Sequence, residues 1–120
     1  MARFLLVLKP RAATTAAALI DGLQPLLEAL QAEVDHRTSA HLSALLRGGG
    51  AEQLRLQLFA DVQSKAEGPV LELALMSREP MGRGAPLSRA VFERLLAACA
   101  SQLPQLDLCF RSDRDGALPL

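Results

Sequence analysis

The residues best suited to binding chemistry lie between Arg78 and Ser88. The segment contains Gly82-Arg83-Gly84 and two prolines. A glycine-containing loop that leads into a helix offers free backbone N–H groups and the positive end of the helix dipole. The segment therefore predicts a site for a phosphate or carboxylate, formed by Arg78, Arg83, Gly84 and Ser88. Its spacing matches neither GxxxxGK[ST] nor GxGxxG, so a solvated loop without a ligand is the alternative.

The two histidines form a second candidate. His36 and His41 give a titratable pair, and Asp35 is placed to orient one imidazole. Their five-residue separation would not put both on one helical face. No HExxH or Cys/His cluster accompanies them. We therefore predict no catalytic residue, no metal site and no cofactor.

The two cysteines indicate a compartment rather than a reaction. Cys99 falls on an apolar helical stripe, and Cys109 has Asp107 nearby, which would oppose a thiolate. We interpret both as reduced thiols of a cytoplasmic protein. The apolar run from Phe4 to Leu8 is too short for a signal-peptide core, although the lack of acids before Asp21 leaves a transit peptide open.

The composition limits the classes of partner. The 120-residue chain has 13 basic and 13 acidic residues and no Trp or Tyr. Balanced charge gives no general attraction for nucleic acid or anionic lipid, and few aromatic rings are present for bases to stack on. No apolar run is long enough to span a membrane. We predict neither nucleic acid nor membrane as a partner.

Two alternating stretches, residues 53–58 and 70–75, predict the central strands of the fold. The segment 62–69 between them contains Gly68-Pro69 and predicts a turn-rich loop. We interpret the two strands as an antiparallel hairpin. Its buried face is formed by leucines, namely Leu54, Leu56, Leu58, Leu71, Leu73 and Leu75.

The segments before the hairpin predict a strand and then helices. Residues 3–9 form an apolar run typical of a central strand. Apolar residues then recur at helical steps from Thr14 or Thr15 to Val34, with Pro25 predicting a kink or a restart. Residues 38–47 predict a short second helix or irregular structure, before a flexible loop at Gly48-Gly49-Gly50.

After the hairpin, a helix begins at Pro86 and is stopped by Pro104, and residues 106–111 alternate as a last strand. The order strand, helix, strand, strand, helix, strand predicts an α+β, ferredoxin-like βαββαβ two-layer sandwich. In this fold two main helices cover one face of a four-stranded antiparallel sheet. Residues 1–111 would form the single domain and residues 112–120 a loose C-terminal tail.

The uncovered face of that sheet gives the main functional hypothesis. Its predicted centre is apolar, and its rim carries Arg3, Arg55, Glu72, Asp107 and Arg111. The sequence leaves enzymatic activity open and favours a non-enzymatic module that binds a second copy or another protein. The predicted interface consists of Leu5, Val7, Phe59, Ala74, Met76 and Cys109.

A second hypothesis comes from the segment Leu71 to Phe110, which reads as a strand, a Gly-Arg-Gly loop, a helix containing Phe92-Glu93 and a strand. It resembles the second half of the 5-carboxymethyl-2-hydroxymuconate isomerase branch of the tautomerases. The resemblance implies two βα halves and a catalytic proline after the initiator Met. Ala2 stands at that position. The alternative function is thus a binder of small anionic metabolites, or a tautomerase-like relative that lacks the catalytic proline.

Overall fold

Six strands form one antiparallel sheet in the computed structural model, which describes residues 2–46 and 55–115. The strands are β1 (Ala2–Pro10), β2 (Ala32–Arg37), β3 (His41–Leu46), β4 (Gln57–Lys65), β5 (Gly68–Ser77) and β6 (Leu106–Arg111), in the order β2-β3-β4-β5-β1-β6 across the sheet. The helices are α1 (Ala16–Asp21), α2 (Gln24–Ala29), α3 (Pro86–Gln102) and the single turn α4 (Ser112–Asp115), with a 3₁₀ turn at Met81–Arg83.

The predicted four-stranded ferredoxin-like sandwich is wrong, because residues 32–46 form the hairpin β2–β3 instead of helix. The long predicted helix ends before Gln31, whose φ of 53° turns the chain out of the helical path. Leu42, Leu45 and Leu46 have helical spacing, but β3 lies between β2 and β4 and pairs with both. Pairing on both sides satisfies the backbone and outweighs the local helical pattern.

The helical region before this hairpin breaks in two, as the position of Pro25 allowed. The Oγ1 of Thr15 accepts a hydrogen bond from the N–H of Ala18 at 3.1 Å and caps α1. Gly22 ends α1, and Pro25 lies in the first turn of α2, where its missing N–H costs no helical hydrogen bond. The restart, rather than a kink, is therefore the observed structure.

The hairpin β4–β5 is confirmed, but β4 begins at Gln57, so only Gln57 and Leu58 of the predicted strand 53–58 belong to it, and Arg55 lies in a turn with a φ of 53°. Val62 to Lys65 and Gly68-Pro69 belong to the strands, so only Ala66 and Glu67 remain in the turn. Gly68 has a φ of 121°, which a residue with a Cβ rarely adopts. Five of the six predicted leucines are buried, namely Leu56, Leu58, Leu71, Leu73 and Leu75. Leu54 and the triple glycine lie outside the described residues.

Helices α1, α2 and α3 pack on one face of the sheet, and the main core lies between the two layers. At its centre the rings of Phe4 in β1 and Phe92 in α3 stack with centroids 4.8 Å apart. In residues 2–46 and 55–115, no helix combines the length and apolar character needed to cross a membrane. Residues 116–120 of the predicted tail lie outside the description, so its looseness stays a prediction.

Candidate functional site

The middle of the sheet face opposite α1, α2 and α3 carries three rows of side chains, fixed by the strand register. The central row contains Leu5, Ala74, Phe59, Ser43 and His36. On one side of it lies the row of Phe110, Val7, Glu72, Asp61 and His41. On the other side lies the row of Arg3, Met76, Gln57, Leu45 and Glu33. We call this surface the open face.

An apolar patch occupies the β1–β5 part of the open face, and we define it as Leu5, Val7, Phe59, Ala74 and Phe110. It contains no helical residue, in contrast to the main core. Leu5, Ala74 and Phe110 bury one another, whereas Val7 and Phe59 are only half-buried. Met76 is also half-buried in the next row. The patch thus presents part of its apolar surface outwards, on the sheet face opposite α1, α2 and α3.

A bulge decides which residue of β6 joins this patch. Between Val7 and Leu8 the register shifts, so that Val7 pairs with Phe110 and Leu8 with Leu108. Cys109 is the extra residue, and its thiol donates a hydrogen bond to the carbonyl oxygen of Val7 at 3.2 Å. Phe110 therefore lies in the apolar patch, while Cys109 is exposed beside it. A role for Cys109 in an interface stays a prediction.

Polar and titratable side chains gather at the β2–β4 end of the open face. The Nδ1 of His41 lies 2.6 Å from Oδ1 of Asp61, and the His36 and His41 rings have centroids 5.7 Å apart. The Ser43 hydroxyl donates to the carboxylate of Asp35 at 2.5 Å. Strand β2 and strand β3 bring the two histidines together, which the predicted helix would have separated. Within the described ranges, no three His, Cys, Asp or Glu side chains are arranged to hold a metal ion.

Helix α4 directly follows β6 and is hydrogen-bonded to β1. The Oγ of Ser112 accepts a hydrogen bond from the N–H of Leu5 at 2.9 Å. The guanidinium of Arg111 binds the carboxylate of Asp113 through two hydrogen bonds of 2.9 and 2.7 Å, and Arg89 approaches the same carboxylate at 3.6 Å. The bond from Arg111 holds the pKa of Asp113 below its ordinary value, against the effect of desolvation. Arg111 is thus engaged within the chain.

The predicted anion site is occupied by a carboxylate of the chain itself. Buried Glu79 accepts hydrogen bonds from the N–H of Leu87 at 3.1 Å and of Ser88 at 2.6 Å. Ser88 is buried, and its Oγ lies 2.6 Å from that of Ser77, whose Oγ accepts from the N–H of Glu79 at 3.1 Å. The free N–H groups that would attract a ligand at the start of α3 are therefore satisfied by Glu79.

The other residues of that predicted site do not converge on Ser88. Arg83 and Gly84 are exposed in the loop before α3. Gly84 has a φ of 76° and is followed by Ala85, also at a positive φ of 47°, so these two residues turn the chain into the helix. Arg78 lies with Arg55 at a depression of about 250 Å³ on the open face, beside Phe59 and Met76. The sequence pattern that singled out these residues did not reveal Glu79.

The hydrogen bonds of Glu79 make the stability of the protein depend on pH in the acidic range. Desolvation raises the pKa of this carboxyl, but the hydrogen bonds from Ser88 and Leu87 outweigh it, so the pKa lies below its ordinary value of 4.5. A depressed pKa in the folded state means stabilisation that is present above pH 4.5 and is lost as the pH falls through the folded-state pKa. We expect Glu79→Gln to lower the melting temperature at neutral pH and to have little effect in strong acid.

Thermal unfolding followed by circular dichroism over a pH series measures this difference. Glu93→Gln is the matched control, because Glu93 is exposed on the same helix. A gap between wild type and Glu79→Gln that stays constant from neutral pH into acid would contradict the linkage.

Comparison with known proteins supplies no family for this chain, since neither a family model nor a curated protein sequence matches it. The segment that resembles the tautomerase branch forms β5, α3 and β6, and β5 and β6 lie on either side of β1. Ala2, where that branch has its catalytic proline, is fully buried at the start of β1.

Proposed function

We propose that the protein is a non-enzymatic interaction module that binds a second copy of itself through the open face. The observation that carries this proposal is the apolar patch, which lies on the sheet face opposite α1, α2 and α3. Half-buried Val7, Phe59 and Met76 give it apolar surface that a partner would remove from water. Polar and charged side chains surround it, as at the rim of an interface.

The size of the open face suits a partner of this kind. The six strands at a spacing of about 4.8 Å span roughly 24 Å, and nine residues of β1 extend about 30 Å. Because β2, β3 and β6 have only six residues each, the area of the face is roughly 600 Å², somewhat below the ~800 Å² that each partner buries in a standard stable interface.

The edges of the sheet are less suited to pairing between copies. The pairing of β2 with β3 shifts register between Val34 and His36, and the pairing of β6 with β1 shifts between Val7 and Leu8. Bulges of this kind distort an edge strand and discourage the addition of another strand. Both outer strands therefore have a bulge, which favours stacking of faces over extension of the sheet.

A twofold axis along the central row gives the arrangement we infer. It places Leu5, Ala74 and Phe59 of the two copies on one another, in the manner of aligned sheet packing. The two outer rows then exchange, so that Arg3 of each copy lies over Val7 and beside Glu72 of the other. In this arrangement the apolar side chains of the central row meet one another, and each basic Arg3 gains an acidic neighbour.

Substitutions at half-buried positions of the open face test this function. Phe59→Asp and Met76→Asp should weaken self-association by about tenfold or more, because the twofold axis brings the two carboxylates at position 59 together and sets the one at position 76 over Glu72 of the other copy. Sedimentation velocity over a concentration series measures the change. Leu87→Asp is the matched control, since Leu87 is 60% exposed on α3, which packs on the other face. A wild-type protein that stays monomeric throughout the series refutes self-association.

The charge pair provides a second test of the same arrangement. Arg3→Glu should weaken the dimer, and the double variant Arg3→Glu/Glu72→Arg should restore it. Restoration depends on proximity between copies, because Arg3 and Glu72 pair with different neighbours within one chain. Additive weakening in the double variant would exclude this orientation of the two faces.

The proposal places the module in the cytoplasm. The free thiols of Cys99 and Cys109 suit a reducing compartment. The alternative anionic-ligand site at the Arg83 loop is less favoured, because Glu79 already binds the N–H groups at the start of α3.

A further inference from the structure

A cleft of about 700 Å³ lies at one end of the open face, between the β4–β5 turn and the segment that follows β1. Clefts that hold small molecules measure about 300–1,000 Å³. The cleft does not include the loop before α3, so it is separate from the anion site that the sequence predicted. It shares Val7 with the apolar patch.

Three basic side chains from two segments line this cleft, namely Lys9 and Arg11 at the end of β1 and Lys65 at the end of β4. Arg11 donates through Nε to Asp107 at 2.8 Å, and this bond uses one of its five N–H donors. Lys9 faces Glu67 at 3.9 Å, an exposed pair of little strength. Lys65 makes no ion pair within the described chain. The cleft therefore retains positive charge and free donors.

The remaining walls are mainly apolar. Val7 and Val70 come from the sheet, Pro10 ends β1, and Pro69 follows the β4–β5 turn. Side chains of this kind accept an aliphatic or aromatic body, whereas the three cations accept an anionic head. Glu67 is the one carboxylate that lines the cleft, and it is 87% exposed and free to turn away.

We propose that this cleft binds a small amphiphilic anion, with a carboxylate or phosphate head between Lys9, Arg11 and Lys65 and an apolar body against Val7, Pro69 and Val70. The cleft and the proposed dimer share Val7, which Arg3 of the other copy would cover, so the variant Met76→Asp is used to test the two proposals separately. The two head groups share the same chemistry, since each offers acceptor oxygens and negative charge to the cations.

Three probes with one alkyl chain test the site, namely octanoate, octyl phosphate and neutral octanol. Amide chemical shifts of isotopically labelled protein report both affinity and position, and the absence of Trp and Tyr makes intrinsic fluorescence unsuitable. We expect at least one of the two anions to bind about tenfold or more tightly than octanol. The largest shifts should occur at Val7, Lys9, Lys65 and Val70. A preference between octanoate and octyl phosphate identifies the head group.

Charge variants complete the test. The double variant Lys9→Gln/Lys65→Gln should weaken binding of the preferred anion by about tenfold. Arg83→Gln should leave it unchanged, because Arg83 is exposed in a different loop. Equal binding of octanol and both anions, or equal affinity of wild type and double variant, overturns the proposal.

Repeating the titration on Met76→Asp separates this site from the proposed dimer. Met76 does not line the cleft. Retained binding in that variant supports the cleft whatever the oligomeric state is. Binding that disappears together with the dimer would overturn an independent site.

Discussion

Phe92→Ala is expected to lower the free energy of unfolding by about 3–5 kcal/mol. Phe92 is fully buried in α3, and its ring stacks on that of Phe4 at 4.8 Å. Removing the ring leaves a cavity between the helices and the sheet, and it removes dispersion contacts that the neighbours cannot recover without moving. Since domains of this size are stable by only about 5–15 kcal/mol, the loss should be a large fraction of the total.

Urea unfolding followed by far-ultraviolet circular dichroism gives this difference directly. Protein concentration is held constant, because self-association would stabilise the folded state by mass action. Leu87→Ala is the control, since Leu87 is exposed on the same helix and its loss should cost less than about 0.5 kcal/mol. A cost below about 1 kcal/mol for Phe92→Ala would mean that the core between α3 and β1 is not packed as described.

The elements that local alternation could predict are the strands with one buried face. Leu71, Leu73 and Leu75 alternate with residues of the open face, so their register with β1 and β4 follows from burial of one side. The faces of β1 could not be predicted in this way, because both of them are apolar. Pairing of β1 with β5 puts Phe4, Leu6 and Leu8 towards the helices, and Leu5 and Val7 therefore lie on the open face with Ala74 and Met76.

The hairpin β2–β3 was missed because its evidence is not local. Ala32 to Arg37 is mostly exposed and has no regular apolar alternation, and the two strands share a register shift at Val34 and His36. What makes these residues a strand is pairing with β3, and β3 in turn pairs with β4. Such pairing is decided by tertiary contacts between distant residues. The local periodicity of apolar residues carries no information about those contacts.

The candidate site was only partly predictable for the same reason. His41 and Asp61 are 20 residues apart in the sequence, and their contact depends on β3, which was not predicted. The predicted interface contained Cys109, but Phe110 lies in the apolar patch instead, because a bulge in β6 shifts the register. Glu79 caps α3 from seven residues before Pro86, much further than the three-residue spacing of a capping box.

Cys99 should react with a thiol reagent about a thousandfold more slowly at mildly alkaline pH than a thiol with the ordinary pKa of 9.0. Burial raises the pKa of the Cys99 thiol from 9.0 to about 12, so its thiolate fraction falls by about a factor of a thousand. Cys109 is exposed in the bulge of β6, where a reagent can reach its sulfur. Ellman's reagent should therefore titrate one thiol rapidly in the folded protein and both thiols in denaturant.

The burial of Cys99 also makes the free energy of unfolding depend on pH in the alkaline range. Above pH 9 the unfolded chain loses the Cys99 proton while the folded chain keeps it, so the free energy of unfolding should fall as the pH rises from 9 towards 12. Cys99→Ser should remove this fall in the free energy of unfolding. Cys109→Ser should remove the rapid reaction with the reagent but leave the fall unchanged. Two rapid thiols in folded wild type would show that α3 does not shield Cys99 in solution, which would contradict its place in the main core.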